Sequence, residues 1–251
     1  MRLEGKTALI TGATRNIGKR IALTFAREGA NLVLNARTNL QDLDAVAAQC
    51  RELGVKTKTV IGDVSDPERV TGMVQEGIDA LDKIDILVNN VAIRPHKPIL
   101  EVSNEEWHQV LSVNLYAAFY LIKAVLPGMM ERHSGNIIAL GGQAAITGRP
   151  DRASVTAAKT GLLGLIRAVA AEMAPYNIRA NMVNPGSIKR PRNHPEPVIH
   201  PRGSPEHLKS IPMGMQGSAE DIANACLFFA SDESAYITGD RLNVMGGRYI
   251  I

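Results

Sequence analysis

The sequence predicts an α/β fold, a doubly wound parallel sheet with helices on both faces, as a single domain over residues 1–251. Short apolar runs alternate with amphipathic stretches of helical period. The runs lack the in–out alternation of half-exposed strands, so they read as strands buried on both faces. With 251 residues, 45% of them hydrophobic and 21% charged, the chain can build one sizeable core and still cover it with a polar surface.

"KTALIT" (6–11) opens the sheet and a helix over 17–28 follows it. "NLVLN" (31–35) precedes a helix over 40–53, and "KTVIGD" (58–63) a helix over 67–81. "IDILVNN" (84–90), a helix over 114–132, "NIIAL" (136–140), a helix over 154–174 and "IRANMVNP" (178–185) continue the alternation. A helix beginning near Ala219 and an edge strand near "RLNVM" (241–245) close it. Right-handed crossovers between such units give a parallel sheet. From Pro185 to Pro212 lie seven of the 13 prolines, a density that packed helices and strands do not tolerate. The stretch reads as a surface excursion beyond a strand's carboxyl end, where open sheets bind ligands, and residues 186–215 are expected to form a substrate lid.

Composition excludes several partners. A net charge of +3 without any Lys/Arg block carries no nucleic-acid footprint. No 18-residue apolar run and no signal-like segment is found, so no membrane partner and a cytoplasmic location are expected. Cys50 and Cys226, both in helix-like segments, read as buried free thiols of a reducing compartment. A metal site from His194, Glu196 and His200 lacks a rigid element to hold the spacing, and no metal is expected.

"TGATRNIG" (11–18) follows the first strand and opens the first helix. Gly12 allows a tight turn and Gly18 a close helix–strand approach. The backbone of Thr14, Arg15, Asn16 and Ile17 between them can then face a pyrophosphate, the arrangement of a Rossmann-type sheet. Asn16 stands where a middle glycine is usual, and asparagine tolerates positive φ best among the other residues. The second strand ends in "LVLNARTN" with Asn35 and Arg37 and no carboxylate until Asp42. Arg15 and Arg37 can clamp a 2′-phosphate, so the expected cofactor is NADP(H).

Together with "GDV" (62–64), "ILVNNVA" (86–92), "SVNLYAAF" (112–119), "AAKTGLLGL" (157–165) and "VNPGSI" (183–188), these motifs resemble the short-chain dehydrogenase/reductase family over essentially the whole chain. The pattern is nearest that of bacterial 3-oxoacyl-[acyl-carrier-protein] reductases. The resemblance implies that Asp63 and Val64 contact the adenine and that Asn90 lies beside the cofactor ribose. Pro185, Gly186 and Ile188 would frame the nicotinamide carboxamide. Lys159 would hold the nicotinamide ribose, and Asn114 would anchor a water of the proton relay. It also implies a homotetramer built through the two long helices.

The family pattern fails at two positions. A tyrosine four residues before the lysine protonates the substrate oxygen in the family, and here that position is Val155. The serine that steadies the same oxygen falls, by ungapped alignment, on Gly142. General acids contribute about 10²–10⁴-fold, so plain ketone reduction is expected to be slow. His96 is the candidate substitute acid, because histidine exchanges protons near neutrality. Arg94, Lys97, Arg149, Arg152 and Arg190 around the site mouth suggest a small or acyl anionic substrate. Three functions stay open: an atypical reductase, a non-redox lyase, hydrolase or isomerase, and a catalytically inactive NADP(H)-binding subunit.

Overall fold

The computed structural model describes residues 1–189 and 203–250. Seven strands among them form one sheet: β1 (Thr7–Ile10), β2 (Asn31–Ala36), β3 (Thr57–Ile61), β4 (Ile86–Asn89), β5 (Gly135–Leu140), β6 (Ile178–Pro185) and β7 (Arg241–Val244). Every neighbouring pair is parallel, in the order β3-β2-β1-β4-β5-β6-β7. The chain winds outward from β1 to β3 and then returns to start β4 on the other side of β1. The carboxyl ends of β1 and β4 therefore part around a crevice at this switch point.

The continuous apolar runs are explained by two cores. Ile10, Val88 and Ile138 face one way, onto α1 (Asn16–Arg27), α2 (Leu40–Glu52) and α8 (Ala219–Ala230). Leu9, Leu87 and Ile137 face the other, onto α3 (Pro67–Leu81), α5 (Ala117–Glu131) and α6 (Ala153–Met173). Caps set several helix starts. Asp66 accepts from the Glu68 and Arg69 N–H groups ahead of α3, with Pro67 at its first position. Ser218 and Asp221 form a reciprocal capping box at α8.

Two expectations are corrected. The helix expected over 114–132 is preceded by α4 (Asn104–Leu111) and a π-helical turn, Ser112–Tyr116, before α5 begins at Ala117. The proline-rich span is not free of regular structure, because Ser204 caps a short helix, α7 (Pro205–Lys209), and Ile188 bridges Gly217 in parallel. Proline at a first helical position is tolerated, which reconciles α7 with the proline count. Asn104–Glu131 and Ala153–Tyr176 are long and apolar enough to cross a membrane by length and composition alone, with 18-residue windows of mean hydropathy 1.6 and 1.2, though neither contains an unbroken apolar run of that length. Both lie on the sheet, where Leu121, Ile122, Leu162 and Ile166 are buried. Arg190, His194, Glu196 and His200, and with them residues 190–202 of the expected lid, lie outside the described residues.

Candidate functional site

From β1 the chain turns through Gly12 at φ +65° and enters α1 at Asn16 with φ +49°, the left-handed conformation expected of that asparagine. Gly18 has a different task. A Cβ there would sit 2.1 Å from the Gly12 carbonyl oxygen and 2.8 Å from Asn90 Nδ2, so only a bare Cα fits. Asn90 fastens the turn to the end of β4. Its Nδ2 donates to the Thr11 carbonyl (2.9 Å) and the Gly12 carbonyl (3.2 Å), and its backbone N–H donates to Thr11 Oγ1 (2.9 Å). No side chain caps α1, leaving first-turn N–H groups and the positive end of the helix dipole at the crevice.

The crevice is a cavity of about 650 Å³. It brings together Gly12, Thr14, Arg15, Asn16, Ile17, Gly18, Arg37, Asn90, Pro185, Gly186 and Ile188 of the predicted residues. Asp63, Val64, His96, Asn114 and Lys159 are not on its lining. Asp63 stands behind Arg37, whose Nη1 is 4.0 Å from Asp63 Oδ2, while Asp63 Oδ1 accepts from the Ser65 N–H and hydroxyl. Val64 is buried in the core on the α3 side. Asn35 turns into the interior and donates to the Gly62 carbonyl (3.1 Å), so Ala36 and Arg37 are what β2 presents to the cavity.

Lys19, Arg20, Ser218 and Ala219 also line it and were not read from the sequence. The available signals were the adjacency of Lys19 and Arg20 to Gly18 and the Ser218-x-x-Asp221 cap. Arg20 pairs with Glu220 at 3.0 Å, joining the starts of α1 and α8.

The wall formed by β5 and α6 is built differently. Asn114 is fully buried in the π turn, where its amide donates to the Ile93 carbonyl (2.8 Å) and accepts from the Ile93 N–H (2.9 Å). Lys159, also buried, donates from Nζ to the Leu140 carbonyl at 2.7 Å. Burial, reinforced by the Arg94 charge, pulls its amine down to about 7. Val155, one turn earlier, sits in an apolar cluster with Val110 and Ala158, against Ile93, Leu111, Leu115 and Ala144. Gly142 adopts φ +144° and donates its N–H to Asn184 Oδ1 (3.0 Å).

The basic residues at the mouth are not equivalent. Arg94 lines the cavity. Lys97 is engaged by Glu106 at 2.7 Å, and Arg149 donates to Gln143 Oε1 at 3.1 Å. Arg152, buried at the start of α6, donates to the Pro95 carbonyl (3.3 Å) and meets His96 Nε2. Cys50 and Cys226 are free and buried, and burial pushes the Cys50 thiol up to about 11 and the Cys226 thiol higher still.

Residues 12–248 match a family described as enoyl-(acyl carrier protein) reductase. The 3-oxoacyl-[acyl-carrier-protein] reductase of Thermotoga maritima is 35% identical over 250 residues, covering 100% of both chains. The Escherichia coli enzyme of the same name is 37% identical over 251 residues, again covering 100% of both. Among solved structures, an NAD⁺-bound xylitol dehydrogenase superposes with a TM-score of 0.91 at 29% identity, covering 98% of this chain and 100% of its own.

Proposed function

Because the chain belongs to the short-chain dehydrogenase/reductase family, an oxidoreductase family, we propose that it is an atypical NADP(H)-dependent oxidoreductase acting on a small or acyl anionic substrate. The observation that carries this reading is the turn between β1 and α1. Gly18, where no Cβ fits, lets the start of α1 pack closely on the Gly12 turn, and the uncapped helix start beside it suits a pyrophosphate. Arg15 and Arg37 would hold a 2′-phosphate. Arg37 is well placed for it, since its side chain is 70% exposed and only loosely engaged by Asp63.

Asp63 and Val64 would border the adenine. Asn90, Pro185, Gly186 and Ile188 would border the nicotinamide end. When bound, the dinucleotide supplies a hydride. Lys159 would exchange the Leu140 carbonyl for ribose hydroxyls, and Asn114, locked to Ile93, would be the fixed post for a relay water. Val155 has no proton to give, and Gly142 has no hydroxyl to steady a developing oxyanion. His96 would be the substitute proton donor. Arg94, which lines the cavity, would favour an anion there. The exposed Tyr116 and Phe119, next to and on α5, support self-association into a homotetramer. A cytoplasmic location and a lid over 186–215 complete the proposal.

The test is 4-deuterated NADPH offered with a panel of oxo acids, acyl thioesters and neutral ketones. Deuterium is expected in the product of an anionic member and only slowly in plain ketones. No deuterium in any product would sink the reductase reading in favour of a non-redox activity or an inactive subunit.

A further inference from the structure

We propose that Ser187 is a positioning residue for the nicotinamide end of the site, a buried hydroxyl through which seating of the dinucleotide is coupled to packing of α7. The inference rests on the reading that Gly186 and Ile188 border the nicotinamide. Both line the cavity, and Ser187 between them does not. Ser187 is 7% exposed, and its side chain turns to α7 and to the chain just ahead of α8. Gln216 Nε2 donates to Oγ at 2.9 Å, and His207 Nε2 of α7 lies 2.8 Å from the same oxygen. A hydroxyl has one donor and two acceptor sites, so this oxygen serves both partners in either tautomer of the ring. The backbone repeats the tie. The Ser187 carbonyl accepts from the Gly217 N–H at 3.0 Å, and the Gly217 carbonyl accepts from the Lys189 N–H at 2.8 Å.

Ser218 and Ala219, which follow Gly217, line the cavity as well, so these bonds hold the Gly186–Ile188 strip against the start of α8. A second anchor lies just past α7. The Met213 N–H donates to the Gly246 carbonyl at 3.1 Å, and a Cβ on Gly246 would come within 2.8 Å of Ile211 Cγ2. A Cβ on Gly186 would come within 2.7 Å of Met245 Cα. The turn after β7 thus touches Gly186 and Ile211 with no slack, so neither can shift alone. Of the two anchors, the one at Ser187 depends on a single oxygen and sits between the two residues that would touch the nicotinamide. A ligand seated on Gly186 and Ile188 favours the arrangement in which α7 is packed, and by linkage packed α7 favours that ligand.

The experiment uses the full chain with NADPH and with 2′,5′-ADP, which carries the phosphorylated ribose but no nicotinamide. Hydrogen exchange is read at Leu208, Ser210 and Ile211, whose N–H groups bond within α7 or just past its end. Saturating NADPH is expected to slow them about tenfold in the parent, and saturating 2′,5′-ADP to leave them unchanged, a measurement that needs no variant. Ser187→Ala should abolish the slowing and weaken NADPH binding about tenfold by calorimetry, while 2′,5′-ADP binds as it does to the parent. An equal loss for both ligands would make the role merely structural and overturn the inference. So would NADPH binding without slowed exchange, equal slowing by both ligands, or a Ser187→Ala variant that binds NADPH as tightly as the parent. Each of these leaves the nucleotide reading standing, whereas a parent that binds no NADPH takes down both, so the two failures are told apart.

Discussion

Gly18 and Gly142 follow β1 and β5, two strands of the same sheet, yet they are glycines for opposite reasons. A Cβ on Gly18 would press within 2.1 Å of a backbone oxygen, whereas one on Gly142 would find nothing within 4.0 Å. Gly18 has an ordinary φ and no space; Gly142 has φ +144° and space to spare. The wall that carries the nucleotide motif is held by contact and by the hydrogen bonds of Asn90. The wall where the family keeps its acid is held by backbone conformation, an apolar cluster and a buried amine. The first wall leaves no room for a Cβ at Gly18, while the second leaves room for one at Gly142.

The strongest way to break this contrast is through Lys159. Its amine is near 7 in the folded protein and near ~10.4 when unfolded. Between those values the unfolded chain binds a proton that the folded chain does not, so stability should rise with pH across about 7 to 10 and level off outside. The full amplitude is on the order of 4 kcal/mol. Lys159→Met removes the titrating group and should flatten the slope, read by urea unfolding at about pH 7 and about pH 9.5. Parallel slopes for the two proteins would put the amine in contact with water and undo the description of that wall.

Gly18→Ala tests the opposite wall. The added methyl must displace either the turn or the helix, costing ~3 kcal/mol of stability. Dinucleotide affinity should fall by about 100-fold, measured by calorimetry. A variant that binds as tightly as the parent would mean that the cradle is not where the nucleotide sits. Arg37→Asp sharpens the same side more gently. Arg37 is exposed, so solvent and salt screen it, and about a tenfold loss of NADPH affinity with a gain for NADH is expected. An unchanged ratio of the two would remove Arg37 from cofactor selection.

The first wall was legible in the sequence because its constraints are local. Gly12, Asn16 and Gly18 lie within one turn, and the strands beside them are apolar on both faces. The helix Asn104–Leu111 escaped for the converse reason. Its cap, Ser103 with Glu106, was in plain view, but only Val110 is buried along it, so no apolar stripe announces a helix. The π turn at Ser112–Tyr116 then shifts the phase of α5 relative to α4. Nothing local could foretell the inward turn of Asn35 toward Gly62, the fold of Arg152 across the 94–96 loop, or the bond from Lys159 to Leu140. Each joins segments far apart in the chain, and each decides which side chains are left for a ligand.

Gly142→Ala is the smallest of these effects and separates conformation from packing. With nothing within 4.0 Å of the new methyl, only the backbone objects, because φ +144° with ψ −176° is a region that side chains rarely enter. The cost should be about 1–2 kcal/mol, read as a lowered melting temperature. Gly141→Ala next to it is the control, since its Cβ would lie 2.0 Å from Asn184 Oδ1 and should cost more. If the two variants lose the same stability, the space beside Gly142 is not open. If Gly142→Ala is the milder, a side chain at this position is opposed by backbone strain alone.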